Sequence, residues 1–196
     1  KDMLRTVEIK ARQAHNRYWG QSVCTDDAKR FFDSQLEKWS EAAGRYDDLK
    51  KAVVSNVNLN GVNISVQYNP ARIVSTGAKV DAKSINERPC FLCDANRPAE
   101  QIDLPLLGKY NLLVNPFPIL PEHFTIPLRS HTPQRILENY EDMMRIASSL
   151  DDYFVFYNGP KCGASAPDHM HFQAGKRGEV PLERDWDEIY WKKRTR

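Results

Sequence analysis

The chain has 196 residues, enough for one well-formed core with a helical extension, because single domains cluster around roughly 100 to 200 residues. Its 28 basic and 26 acidic side chains leave a net charge of +2, scattered along the chain, so no broad field favours a polyanion such as long nucleic acid. No apolar run approaches the ~20 residues that span a bilayer, which argues against a membrane protein. Four cysteines are too few for a disulfide scaffold and suit a reducing compartment. With no basic-then-apolar leader after Lys1, the expectation is a cytoplasmic protein.

In chain order, residues 1 to about 50 read as helical. Leu4, Val7, Ala11 and Ala14 recur at helical spacing, and Phe31, Phe32, Leu36 and Trp39 do so after the start signal Thr25-Asp26-Asp27. Val62 to Tyr68 alternates apolar and polar residues like a half-buried strand, opened by a turn at Gly61 and closed by Asn69-Pro70. Arg72 to Thr76 reads as a second short strand, and the charged stretch Lys79 to Arg88 as a surface loop. Tyr110 to Asn115 and His123 to Pro127 predict a hairpin across a Pro-rich turn. Pro133 suits the first turn of a helix running to about Leu150, with Ile136, Leu137, Tyr140, Met144 and Ile146 on its apolar side. A further strand covers Tyr153 to Tyr157, and the glycine-bearing loop Asn158 to Pro167 leads into Asp168 to Ala174.

That last segment carries the chemistry. Alternate side chains of a strand share a face, so His169, His171 and Gln173 project together at steps of roughly 6.6 Å while Met170 and Phe172 turn to the core. Two imidazoles and an amide on one face are costly to bury without a ligand, a metal or water, although an exposed strand face would carry them as well. The preceding loop combines Asn158, Gly159, Lys161, Gly163 and Ser165: glycines for close backbone approach, a hydroxyl and a cation, which together suit a phosphate. Arg72 and Lys161 each flank a motif and are the cations best placed by sequence order to meet a polyphosphate.

Asn158, Gly163-Ala164-Ser165, Pro167 and His169-x-His171-x-Gln173 resemble the active-site signature of the transferase branch of the histidine-triad superfamily. That branch includes galactose-1-phosphate uridylyltransferase, diadenosine tetraphosphate phosphorylase and GDP-hexose phosphorylases. Asn69-Pro70-Ala71-Arg72, Cys90-Phe91-Leu92-Cys93 and Asn96 resemble the uridylyltransferase order of a substrate arginine, a Cys-x-x-Cys pair and an asparagine. Asn115-Pro116 through His123 to Pro127 and His131 resemble the central hairpin. The likeness covers roughly residues 62 to 175.

The resemblance implies an α+β fold: an antiparallel sheet with a packed helix, after an α-helical N-terminal extension. The expected division is an extension over 1–56, a catalytic domain over 57–182 and a tail over 183–196. It implies that His171 attacks the α-phosphorus to give a covalent nucleotidyl-histidine, and that Gln173 and Ser165 stabilise the phosphoryl oxygens. It also implies that Asn96 contacts the nucleotide, beside Arg72, Asn158, Lys161 and Gly163. An amide at position 173 cannot act as a general acid, as the third histidine of hydrolytic members can, so transfer to phosphate or a sugar phosphate is favoured over hydrolysis.

Cys90 and Cys93 offer two thiolates, and a tetrahedral site needs two further ligands that no second Cys-x-x-Cys supplies. By the same resemblance these are His131 and His169, holding structural zinc, or iron, in a closed set. His123 is an alternative to His131, and a metal-free cysteine pair is the competing reading. The overall expectation is a nucleotidyltransferase or phosphorylase acting on an NDP-sugar or dinucleoside polyphosphate. The alternatives are a metal-stabilised nucleotide-binding module without turnover and a nucleotide hydrolase. Expected partners are the nucleotide or nucleotide-sugar donor and a phosphate or sugar-phosphate acceptor, with neither nucleic acid nor membrane. A homodimer is expected if a second half-domain is needed.

Overall fold

The computed structural model describes residues 23–72 and 79–186. The expected helix around Leu4 to Ala14, most of the expected strand at 72–76 and the last ten residues lie outside these; Arg72 itself closes a short 3-10 turn, Pro70–Arg72.

Among the described residues two helices come first, α1 (Thr25–Lys38) and α2 (Ser40–Lys50), then a hairpin of β1 (Val53–Leu59) and β2 (Val62–Tyr68) and a short α3 (Ala82–Glu87). The main sheet is built from β3 (Leu104–Leu106), β4 (Tyr110–Val114), β5 (His123–Pro127), β6 (Tyr153–Phe156) and β7 (His171–Lys176), with α4 (Tyr140–Ser149) before β6. Its order is β3-β4-β5-β7-β6, and every neighbouring pair is antiparallel. The fold is thus α+β with its main antiparallel sheet after helices, as expected. The cross-register pairs Pro127 with His171, Thr125 with Gln173 and His123 with Gly175.

That register divides the sheet by chemistry. Paired residues point the same way, so Phe124, Ile126, Phe172 and Ala174 share one face, and all four are fully buried. They join Phe31, Phe32 and Tyr46 of α1 and α2 and Ile146 of α4 in one hydrophobic core. Phe32 sits edge-on to both Tyr46 and Phe124, with centroids 5.0 and 5.7 Å away. Such pairs add about 0.5–1.5 kcal/mol beyond the area they bury. The opposite face carries His123, Thr125, His171 and Gln173. Tyr46 ties the two sides together, because its hydroxyl lies 3.0 Å from the His123 carbonyl and 3.1 Å from that of Asn115.

Three expectations need correction. The strand at Val62 to Tyr68 is real but not half-buried: both strands of its hairpin are exposed throughout. Val53, Val57, Leu59, Val62, Ile64, Val66 and Tyr68 fall on one side of the ribbon, while the other side is stitched by Ser65 to Asn56 and Asn58 to Asn63 hydrogen bonds. A two-stranded ribbon has no second layer of its own to cover an apolar face. The charged stretch 79–88 contains a helix, started by Asp81, whose carboxylate accepts from the Ser84 N–H. Finally, the helix after Pro133 begins only at Tyr140, behind a 3-10 turn at Leu137–Asn139. Gln134 is tied instead to the loop before β7, its backbone N–H bonding the Pro167 carbonyl. The helix therefore faces inward through Met143 and Ile146, and Leu137, Tyr140 and Met144 are exposed.

Candidate active site and metal centre

β7 pairs with β5 from His171 to Gly175 and with β6 only as far as Gln173, and its histidine end is buried: His169 is fully buried and His171 is 5% exposed. Strand geometry starts only at His171, and His169 lies in the turn before it. Both ring tautomers follow from their partners, because a carbonyl oxygen can only accept. The Nδ1–H of His171 donates to the His169 carbonyl at 2.8 Å, leaving the lone pair on Nε2. Burial holds the His171 pKa below the ordinary imidazole value, against the opposing pull of that backbone bond. Burial thus favours the neutral form of the ring.

The neighbouring amide is oriented the same way. His123 is fully enclosed, and its Nδ1 accepts from the Ile119 N–H at 3.3 Å. Its Nε2–H therefore donates to Gln173 Oε1, 2.9 Å away. With its oxygen occupied, Gln173 has its NH2 group left as a donor. Burial pushes the His123 pKa down to about 4; the Gln173 bond opposes this, and the positive charge of Arg72 adds to it. His123 lies outside the cluster of Cys90, Cys93, His131 and His169 and instead orients the Gln173 amide. The sequence marks a histidine there without marking its partner.

Cys90, Cys93, His131 and His169 converge, with their ligand atoms within 4.8 Å of one another. His169 Nε2–H donates to the Leu128 carbonyl at 2.7 Å, so its Nδ1 lone pair faces the sulfurs of Cys90 at 3.3 Å and Cys93 at 3.5 Å. His131 Nδ1 lies 3.3 Å from Cys93 Sγ. A tetrahedral zinc with ordinary bond lengths sets sulfur-to-nitrogen edges of about 3.5 Å, so this donor set fits such an ion and can hold one. Burial, and then the adjacent Cys90 thiol, push the Cys93 thiol up to about 11; a cation between the sulfurs would reverse that order.

Asp168 and Arg88, which the motifs leave unmarked, back this cluster. Asp168 lies 3.7 Å from His131 Nε2 and forms an ion pair with Arg88 at 2.9 Å. Arg88 also reaches the Ser165 carbonyl at 3.3 Å, joining the cysteine loop to the glycine loop.

The remaining expected residues are arranged less tightly. Ser165 borders an open cavity of about 450 Å³, also lined by Lys79, Ser84, Glu87, Arg88 and Phe91. Gly163 takes φ +92°, a conformation that favours glycine, and it and Lys161 are exposed in the loop. The Asn158 carbonyl accepts from Gln134, while its side chain is half-buried. Asn96 spends its amide on the Cys90 carbonyl at 2.9 Å, supporting the cysteine turn. Arg72 is half-buried, close enough for its charge to act on His123.

Fold and site together define an α+β protein that presents a tautomer-locked histidine beside a Cys2His2 cluster. The chain belongs to the family described as "Domain of unknown function (DUF4922)", whose model matches residues 31–176. It is also 30% identical over 149 residues to diadenosine 5',5'''-P1,P4-tetraphosphate phosphorylase 2 of Saccharomyces cerevisiae, covering 67% of this chain and 46% of that protein. The expected kinship with the transferase branch, which includes such phosphorylases, stands on this match. Among solved structures it is similar to yeast Ap4A phosphorylase Apa2, with 24% identity, a TM-score of 0.48 and coverage of 71% of this chain and 50% of that one. For the complex with AMP the identity is 23% and the TM-score 0.46, over 74% and 50% of the two chains. The chain spans about half the length of these relatives. Among the described residues no helix is long and apolar enough to cross a membrane.

His123 yields a pH prediction. Its pKa is about 4 when folded and about 6.5 when unfolded, so between these values the unfolded chain binds more protons. The associated stability is present above pH ~6.5 and is lost as pH falls toward ~4, roughly 3 kcal/mol in all. Urea unfolding across this range should show that decline, and His123→Asn should flatten it. A wild-type profile that is level from pH ~6.5 to ~4 would contradict the buried neutral ring.

Proposed function

We propose that this chain is a nucleotidyl-transfer domain acting on a dinucleoside polyphosphate or NDP-sugar, through a covalent nucleotidyl intermediate on His171. The observation that carries the reading is the His171 ring itself. Its Nδ1–H is held by the His169 carbonyl at 2.8 Å, which leaves the lone pair on Nε2, and Gln173, two residues along the same strand face, has its oxygen held by His123. The match to a yeast tetraphosphate phosphorylase supports the same class of substrate.

In the first step His171 Nε2 attacks the α-phosphorus, an N–P bond forms, and the P–O bond to the departing phosphate chain breaks. The imidazole keeps its Nδ1 proton, whose bond to the His169 carbonyl strengthens as the ring gains positive charge. Gln173, with its oxygen tied to His123, offers N–H groups to the phosphoryl oxygens, and Ser165 offers a hydroxyl. The departing phosphate chain is already weakly basic and leaves without a general acid, which fits an amide at position 173. In the second step an oxygen of inorganic phosphate or a sugar phosphate attacks the same phosphorus, the N–P bond breaks and His171 is regenerated. Arg72, Lys161 and the backbone around Gly163 would neutralise the phosphates, with Asn158 and Asn96 at the edges of the nucleotide site.

Cys90, Cys93, His131 and His169 would hold zinc, or iron, as a closed structural site that clips the cysteine loop to the nucleophile's strand. Protein purified without chelator should then carry about one zinc or iron per chain. Elemental analysis showing neither would contradict the site.

The reaction is tested by incubating the chain with labelled diadenosine tetraphosphate, UDP-glucose or GDP-hexose and isolating protein under denaturing conditions. Acid-labile label on wild type, absent from His171→Ala, is the expected outcome. No label with any donor, or equal label on His171→Ala, would overturn the reading.

A further inference from the structure

Gln134 is 1% exposed, and both ends of its side-chain amide are committed to the nucleophile's backbone. Its Oε1 accepts from the His171 N–H at 2.7 Å, and its Nε2 donates to the His171 carbonyl at 3.0 Å and to the Asn158 carbonyl at 2.9 Å. Its own main chain is fixed as well. The N–H bonds the Pro167 carbonyl at 3.2 Å, and the carbonyl accepts from the Tyr157 hydroxyl at 3.1 Å.

The sheet explains why an amide is needed there. The β6 to β7 ladder ends with Phe156 opposite Gln173. Extending that register two steps would set Asn158 opposite His171, but the chain leaves the ladder after Phe156 and begins the glycine loop. The outward N–H and carbonyl of His171 thus lose their strand partner, in a place where unpaired backbone groups are costly. The Gln134 amide fills that gap with one acceptor and one donor, as the backbone of a strand residue would. It also bridges to Asn158, and so holds the first residue of the loop at a set distance from the nucleophile.

We propose that Gln134 is a positioning residue for the nucleotidyl-transfer step: its amide replaces the missing strand beside His171 and keeps Nε2 in line for attack. This rests on the reading of His171 as the nucleophile. Gln134 touches no reacting atom. It acts through the His171 backbone, while the His169 carbonyl fixes the ring from the other side.

The test compares wild type, Gln134→Ala and Gln134→Glu, using labelled diadenosine tetraphosphate as donor over a range of concentrations and pH. Gln134→Ala should lower the rate constant for labelling at saturating donor by about 10²-fold, the scale of an ångström-sized misplacement. The half-saturating donor concentration should change by no more than about threefold, because Gln134 holds Asn158, at the edge of the proposed nucleotide site, only through its backbone carbonyl. Gln134→Glu preserves the fold's shape and gives the sharper signature. Its ionised carboxylate can accept from the His171 N–H but faces two carbonyl oxygens, whereas the protonated acid can again donate. Its rate relative to wild type should therefore rise as pH is lowered from about 8 to about 6.

Equal labelling rates in all three proteins would overturn the proposal. So would a Gln134→Ala loss that falls equally on rate and half-saturation, with no acid recovery in Gln134→Glu. If wild type takes no label, the nucleophile reading fails, and Gln134 is then judged on hydrogen exchange at the His171 amide. Exchange at least about tenfold faster in Gln134→Ala than in wild type, with the Phe172 amide unchanged, upholds the clamp. Unchanged exchange at His171 removes it.

Discussion

The hydrogen bond from His171 Nδ1 to the His169 carbonyl, 2.8 Å long, is the constraint on which the rest of the site depends. It spans only two residues, yet it decides which ring nitrogen carries the proton. It also couples two chemistries, because the residue that lends its carbonyl turns its own ring away toward Cys90 and Cys93. His169 can do both because its Nε2–H is occupied by the Leu128 carbonyl, which frees Nδ1 for the sulfurs. A change in the position of the cysteine loop would therefore reach the His171 ring through one backbone group.

The sheet makes this affordable by keeping its two faces chemically separate. Helices α1, α2 and α4 cover one face with aromatic and aliphatic side chains, and the imidazoles and amides occupy the other. Every polar group on that second face whose partner is known is met in a specific direction: His123 by Ile119 and Gln173, His171 by His169, and the His171 backbone by Gln134. Directional satisfaction of this kind is costly to leave half-made. It gives the site its orientation before any substrate arrives. Tyr46 extends the constraint to the helices by holding the backbone of His123 itself.

Much of this was legible in the sequence where periodicity and spacing have a single physical meaning. The alternation around Met170 and Phe172 placed both in the core, where they are fully buried, and the Pro-rich turn marked the β4 to β5 hairpin. The four residues Cys90, Cys93, His131 and His169, suggested by resemblance, do meet. What escaped were contacts between segments distant in sequence. Nothing local marks Gln134, whose bonds to the His171 backbone fall where β6 stops, and a proline just before it suggested a helix that the structure begins only at Tyr140. The strand Val62 to Tyr68 shows the reverse failure: its alternation was read correctly, but alternation cannot say whether a second layer covers the apolar side. Asp168 and Arg88 were hidden for the same reason, their partners lying 80 residues apart.

The most direct test of the account is the protonation state of the His171 ring at neutral pH, read from the two ring-nitrogen shifts in a 15N-labelled sample. The account predicts a neutral ring with the proton on Nδ1 and the lone pair on Nε2. A ring protonated on Nε2, or an imidazolium at neutral pH, would leave no lone pair where the attack requires one and would contradict it.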